Sequence, residues 1–250
     1  MIKALLSGCC GRMGTVVAKL SEQFGVEIVA GYDIAKKECA FPVYDDILQV
    51  KEIPQVIIDF SNPATLSPIL KFAVQNNIPV IIATTGYDSD QLAYINSASC
   101  AIPVFMSANM SLGINLIAQL AKKAAEITGD SFDIEIIEKH HNQKIDAPSG
   151  TAIMLADEIS KALPYESKQV HDRQKLREKR KKQEIGMHAV RGGTIVGEHE
   201  IIFAGTDEII SISHVAMSRD ILATGALKAA AYIIDKKHGM YNMTDLVLAK

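Results

Sequence analysis

Residues 2–33 read I-K-A-L-L-S-G-C-C-G-R-M-G-T-V-V-A-K-L-S-E-Q-F-G-V-E-I-V-A-G-Y-D. The opening five form an apolar run that predicts a strand. Gly8, Gly11 and Gly14 crowd the turn after it, and Met13, Val16, Val17, Leu20 and Phe24 recur at helical spacing. Val26–Ala30 is a second apolar run without helical period. It closes on Gly31, Tyr32 and Asp33 and completes a β-α-β unit of about 30 residues.

The same rhythm continues outward. Val56–Phe60 reads as a strand, Pro63 opens a helix with Leu66, Ile69, Leu70 and Ala73 on one face, and Val80–Ala83 reads as a strand. A helix near Ser89–Ser99 and a strand near Ile102–Met106 follow. Strands alternating with helices predict a doubly wound parallel sheet with helices on both faces. After a long helix from Leu112 to Thr128, ended by Gly129, the pattern changes: Phe132, Ile134 and Ile136 alternate, and a helix near Thr151–Leu163 stops at Pro164. Three stretches near Gly186–Val190, Glu198–Ala204 and Glu208–Val215 are then expected to be strands without helices between them. That favours a mixed or antiparallel open sheet in a second, α+β domain. An alanine-rich helix, Asp220–Lys237, is expected to return to the first domain. The division is therefore residues 1–111 with 220–250 as a doubly wound domain and 112–219 as an α+β domain.

Composition narrows the functional classes. Of 250 residues, 48% are hydrophobic and 22% charged, the balance of a soluble globular protein. Twenty-six basic against 29 acidic side chains leave −3, so no global field recruits nucleic acid or an anionic membrane. No apolar stretch is long enough to span a bilayer, and Ile2–Leu6 is too short for a secretion signal, so a cytoplasmic location is expected. Cys9, Cys10, Cys39 and Cys100 lack paired-motif spacing and read as reduced thiols. Residues 173–184 carry seven basic side chains and no aromatic one, and read as a solvated loop or frayed helix rather than a nucleic-acid patch.

Glycines between a strand and a helix suit a dinucleotide. The turn needs a residue free of Cβ constraint, the pyrophosphate needs bare N–H groups at a helix N-terminus, and the helix must lie close to the strand. Asp33, about twenty residues after Gly14 at the end of the second strand, stands where a ribose-binding acid belongs. Asp33 would repel a 2′-phosphate and favours NADH, whereas Lys36 and Lys37 could offset that phosphate and leave NADPH open.

Residues 138–152, E-K-H-H-N-Q-K-I-D-A-P-S-G-T-A, hold more ionisable groups than a strand-to-helix connection needs. Ser149, Gly150 and Thr151 supply hydroxyls and N–H groups at a helix start, a cradle suited to a carboxylate. Lys144 adds a point charge near His140, whose imidazole can exchange a proton at neutral pH. Metal binding by His140 and His141 is disfavoured because strand neighbours face opposite ways, and no metal is expected.

These residues carry a resemblance. H-H-N-Q-K-I-D-A-P-S-G-T-A, with G-C-C-G-R-M-G, A-T-T-G at 83–86, S-A-N-M-S at 107–111 and R-G-G-T-I-V-G-E-H at 191–199, resembles the 4-hydroxy-tetrahydrodipicolinate reductase family nearly end to end. The resemblance implies a Rossmann domain using NADH or NADPH, a second domain whose open sheet builds a homotetramer, and hinge closure over a small cyclic dicarboxylate. It implies that Gly8, Cys9, Cys10, Gly11, Arg12 and Met13 line the pyrophosphate and Asp33 the ribose. Ala83, Thr84 and Thr85 with Ser107, Ala108, Asn109 and Met110 would lie on the nicotinamide side. His140 would be the acid–base residue, Lys144 a proton donor, and His141, Gly150 and Thr151 carboxylate-holding groups, with Ser149 shaping their turn. Ala83 departs from a glycine common in the family, and Ile34 from an arginine found in some members after the ribose acid. Two rivals remain at the level of residues: a dehydrogenase of the same build acting on an open-chain amino acid, and a nucleotide sensor without catalysis.

Overall fold

The structure, a computed structural model, describes residues 1–35 and 37–249; Lys36 lies outside them. Its elements in chain order are β1 (Ile2–Ser7), α1 (Arg12–Leu20), β2 (Val26–Tyr32), β3 (Val43–Tyr44), β4 (Val56–Asp59), α2 (Leu66–Asn76), β5 (Val80–Ile82), α3 (Ser89–Ser99), β6 (Pro103–Met106), α4 (Leu112–Thr128), β7 (Asp133–His140), α5 (Gly150–Ser160), β8 (Lys168–Val170), β9 (Glu184–Arg191), β10 (Gly197–Ala204), β11 (Ile209–Ala216), α6 (Asp220–Ile233), β12 (Gly239–Tyr241) and α7 (Met243–Leu248). The chain forms two compact units, residues 1–112 with 220–250 and residues 113–219.

In the first unit, seven parallel strands run in the order β12-β6-β5-β4-β1-β2-β3. Side chains alternate across a strand, so Leu5 faces a cluster built with Leu66, Ile69 and Leu70 of α2, whereas Leu6 faces one built with Val17 of α1 and Leu227 of α6. Both faces are thus covered, as a parallel sheet requires. The alanines of α6 allow close approach: a Cβ on Gly225 would stand 1.6 Å from the Met110 carbonyl oxygen. In register, Ser7 pairs with Tyr32 on one side and Asp59 on the other. The glycine turn and Asp33 therefore emerge together at the carboxyl ends of the strands, where open α/β sheets take their ligands.

The second unit has a five-stranded mixed sheet, β11-β10-β7-β9-β8. β10 runs antiparallel to β7 and β11, whereas β9 is parallel to β7 and β8. Ile134, Ile136, Ile185, Met187, Ile201 and Phe203 pack with α4 and α5 over one face. Register places Glu138 opposite His199 and His140 opposite Arg191.

The basic run departs from the expectation of a purely solvated segment. Arg180 is largely covered. Its guanidinium donates to Glu135 at 2.9 Å, Asp133 at 2.8 Å and the Ile134 and Glu184 carbonyls, and Arg173 pairs with Glu184. Two arginines tie the run to the sheet, whereas Lys175 stays in solvent.

Candidate active site

Steric demand explains two of the three glycines in the first turn. Gly8 has φ +74°, and a Cβ there would fall 2.4 Å from the Phe60 carbonyl oxygen; a Cβ on Gly14 would fall 2.2 Å from the Gly8 oxygen. The first position needs left-handed backbone and the third needs strand–helix contact. Gly11 is the N-cap of α1 and offers no side-chain cap, and no acid lies in the first helical turn. The leading N–H groups of α1 thus carry the positive end of the helix dipole without a built-in anion. A cavity of about 180 Å³ beside this turn is lined by Gly8, Gly11, Asp33, Ile34, Phe60 and Ser61, among others.

Asp33 organises the turn as well as facing this cavity. It accepts from the Cys10 N–H at 2.9 Å through one oxygen and from the Ala35 N–H at 2.9 Å through the other. Lys37 donates to the Cys10 carbonyl at 2.7 Å. Burial pushes the Cys9 and Cys39 thiols well above their ordinary pKa, so both are neutral packing groups at pH 7.

Some side chains with expected cofactor roles are committed to the protein. Met110 is 3% exposed and belongs to the hydrophobic core, because Gly225 lets α6 press on its backbone. Thr84 is buried, with its hydroxyl accepting from the Ser61 N–H and bonded to Asp59. Burial raises the Asp59 pKa against the hydrogen bonds of Ser61 and Thr84. Asp59 escaped the sequence reading, although an acid ending an apolar strand was its signal. Thr85 and Ala108 are exposed, whereas Ser107 and Asn109 are half-buried and linked, Ser107 donating to the Asn109 carbonyl.

The second unit concentrates its chemistry on Glu138. This carboxylate is fully buried, following Ile134 and Ile136 on the inward face of β7. It meets Nδ1 of His140 at 2.6 Å, accepts from the Arg191 guanidinium at 2.7 and 2.8 Å, and accepts from the Ser149 N–H at 3.0 Å. Burial alone would raise its pKa, but Arg191, His140 and Ser149 together hold it below the usual carboxylate range. An ionised Glu138 fixes the proton of neutral His140 on Nδ1 and leaves Nε2 as the free basic nitrogen. Burial lowers the His140 pKa despite Glu138. His199, edge-on to His140 with ring centres 5.2 Å apart, is driven down to about 4, first by burial and then by His140.

The expected pair of histidines separates as alternation requires. His140 is buried against Glu138, whereas His141 Nε2 accepts from Arg219 at 3.0 Å. Lys144 pairs with Asp146 at 2.9 Å, and its N–H donates to the His141 carbonyl. Asp146 is held low first by Lys144 and also by the Gly150 N–H at the start of α5. A carboxylate thus already sits on the cradle formed by Lys144 and that helix start, an internal stand-in for an anionic ligand. Ser149 is the exception among the cradle residues: its hydroxyl accepts from Ala152 N–H and contacts His199, and it is 1% exposed. Its hydroxyl shapes the turn and is not presented to a ligand. Glu138, Arg191, Arg219 and His199 were not singled out from the sequence. For Glu138, Arg191 and His199 the signal was polarity on strand faces that are otherwise apolar; Arg219, exposed between β11 and α6, carried none.

A parallel sheet with an uncapped glycine turn at its first helix in one unit, and a lysine acting on an oriented imidazole in the other, are the build of two-domain nicotinamide-dependent oxidoreductases. Comparison with known proteins narrows that class. The sequence profile described as "Dihydrodipicolinate reductase, N-terminus" matches residues 2–110, and that described as "Dihydrodipicolinate reductase, C-terminus" matches residues 113–247. The 4-hydroxy-tetrahydrodipicolinate reductase of Caldanaerobacter subterraneus subsp. tengcongensis is 52% identical over 99% of this chain and 98% of its own length. That of Clostridium novyi is 46% identical over 100% of both. Among solved structures, dipicolinate-bound dihydrodipicolinate reductase from Paenisporosarcina sp. TG-14 shares the fold with a TM-score of 0.79 and 24% identity over 98% of this chain and 99% of that one. An amine dehydrogenase from Mycobacterium smegmatis follows at 0.64 and 11%, covering 97% and 95%.

The chain belongs to the 4-hydroxy-tetrahydrodipicolinate reductase family. Its reaction is the reduction of 4-hydroxy-tetrahydrodipicolinate in diaminopimelate and lysine synthesis, with NADH or NADPH as reductant.

Proposed function

We propose that residues 1–111 with 220–250 hold the dinucleotide and residues 112–219 the cyclic dicarboxylate. Support for the first comes from Gly8 and Gly14, whose lack of a Cβ lets the turn close tightly on Phe60 and on its own backbone, from the uncapped start of α1, and from Asp33 beside the same turn. Main-chain groups of Gly8 to Met13 hold the pyrophosphate and Asp33 the ribose. Ala83 to Thr85 and Ser107 to Met110 border the nicotinamide, Met110 through its backbone. When bound, NAD(P)H supplies the hydride.

One observation carries the acid–base assignment: buried, ionised Glu138 orients His140, and the Lys144 charge acts on the same imidazole. Reduction of a conjugated imine builds electron density that must be stabilised and then protonated. Lys144 supplies the positive charge and a proton, and His140 exchanges its proton through Nε2. His141, Gly150 and Thr151 hold the carboxylates, displacing Asp146 from its internal pairing. Turnover requires the reductant held by one unit to reach the ring held by the other.

The protein works in the cytoplasm, in keeping with described helices none of which is long and apolar enough to cross a membrane. It assembles as a homotetramer through the sheet face that α4 and α5 leave open. Ile209 and Val215 of β11, 69% and 54% exposed, support that reading.

Paired steady-state kinetics with NADH and NADPH test the cofactor half. Asp33→Ala should raise KM for NADH about tenfold and raise that for NADPH less, since the carboxylate repels a 2′-phosphate. Equal changes for both cofactors would remove Asp33 from the ribose. Pyridine-2,6-dicarboxylate should inhibit competitively with substrate, whereas inhibition confined to competition with NADH would move the dicarboxylate site away from the second unit.

A further inference from the structure

The glycine turn contains a feature that nicotinamide binding does not use. Cys9 and Cys10, 2% and 5% exposed, place their sulfurs 3.9 Å apart. Two thiolates on a tetrahedral Zn²⁺, each at about 2.3 Å, stand about 3.8 Å apart. The Cys9 sulfur, the Cys10 sulfur and a carboxylate oxygen of Asp33 all lie within 4.8 Å of one another, the group of potential ligand atoms that converges among the described residues. Cys39 lies outside that group of three, but its thiol packs on the same cluster in side-chain contact with both cysteines, so it needs only a side-chain shift to complete the set. All three thiols line one cavity of about 600 Å³, together with Lys37 and Glu38.

We propose that Cys9, Cys10 and Cys39, with Asp33, form a site for a thiophilic d¹⁰ cation such as Zn²⁺, and that its occupation excludes the dinucleotide. Three thiolates and the Asp33 carboxylate around a dication leave a net charge of −2, which Lys37, already donating to the Cys10 carbonyl at 2.7 Å, halves. Each thiol gives its proton to solvent as its sulfur binds the metal. Ligation by Asp33 withdraws the carboxylate from the Cys10 and Ala35 N–H groups it now holds at 2.9 Å. The turn then loses the bonds that shape it, and the ribose loses its acceptor. The competition rests on the proposed dinucleotide assignment, whereas the metal site stands without it.

Cadmium is the probe, because its thiolate complexes show an ultraviolet charge-transfer band. Reduced, metal-free protein titrated with Cd²⁺ should develop that band to an end point at one equivalent, and Cys39→Ser should diminish it. With Cd²⁺ or Zn²⁺ bound, the Kd for NADH, read by fluorescence, should rise about tenfold or more. Cys39→Ser lies outside the proposed cofactor contacts, so it should keep its turnover without metal while losing most of its inhibition by Zn²⁺. The site is overturned by the absence of a band at one equivalent or by an unchanged band in Cys39→Ser. A full band with unaltered NADH affinity overturns the exclusion. The same titration without cation checks the dinucleotide assignment separately, since failure of metal-free protein to bind NADH would strike that reading alone.

Discussion

The glycine turn of the first unit and the Glu138 cluster of the second are built in opposite ways. At the turn, side chains are kept out: a Cβ on Gly8 or Gly14 would strike backbone, and the leading N–H groups of α1 have no side-chain cap. At Glu138, side chains are everything. A carboxylate, a guanidinium and two imidazoles stand on strand faces that are otherwise apolar. The first arrangement costs little to build and tolerates varied neighbours, whereas the second stores charge in a dry interior, where each member depends on the others.

The sharpest way to break this contrast is Glu138→Ala. Removing one partner of a buried charge pair leaves Arg191 uncompensated, and the cost should be roughly 3–5 kcal/mol, read as a large drop in urea midpoint. A midpoint within a few tenths of a kcal/mol of wild type would show that the network is not a stability element. Acidification should come next in size. The folded pKa of His199, about 4, lies below its unfolded value near 6.5. Between these values the unfolded chain binds a proton that the folded chain refuses. Stability therefore falls as pH drops from about 6.5 towards 4, by roughly 3 kcal/mol, and His140 acts in the same direction. His199→Gln should flatten that limb of the curve; an equally steep limb would assign it to other groups. The smallest effect sharpens the reading of the basic run. Arg180→Ala should destabilise by about 1–3 kcal/mol through lost charged hydrogen bonds, while Lys175→Ala should stay within about 0.5. Equal effects would return the whole run to solvent.

How much of this was legible follows from the same contrast. The first unit announces itself because period-2 and period-3.6 patterns alternate with glycine between them, and α3 and α4 begin and end where the pattern places them. β3, β8 and β12 went unseen, since two or three residues carry no period. Pro63 opens a short 3₁₀ turn before α2, and α6 stops at Ile233 rather than Lys237, both boundary shifts of a few residues. In the second unit, His140, His141 and Lys144 stood out because they are clustered in sequence. Arg191 and His199 lie 53 and 61 residues after Glu138, and only strand register joins them. Arg180 was hidden for a different reason: its neighbours are exposed lysines, and composition averages over a run in which one or two residues fold inward.

Acid–base chemistry at His140 and Lys144 is proposed to supply the one proton for a reduction whose hydride comes from a nucleotide held elsewhere in the chain. Steady-state oxidation of NADH with freshly generated 4-hydroxy-tetrahydrodipicolinate, run beside NADH titrations, tests it directly. His140→Ala and Lys144→Ala should each lower kcat by about 10² or more and leave the Kd for NADH nearly unchanged. Undiminished turnover in both variants, or loss of NADH binding in either, would contradict the account.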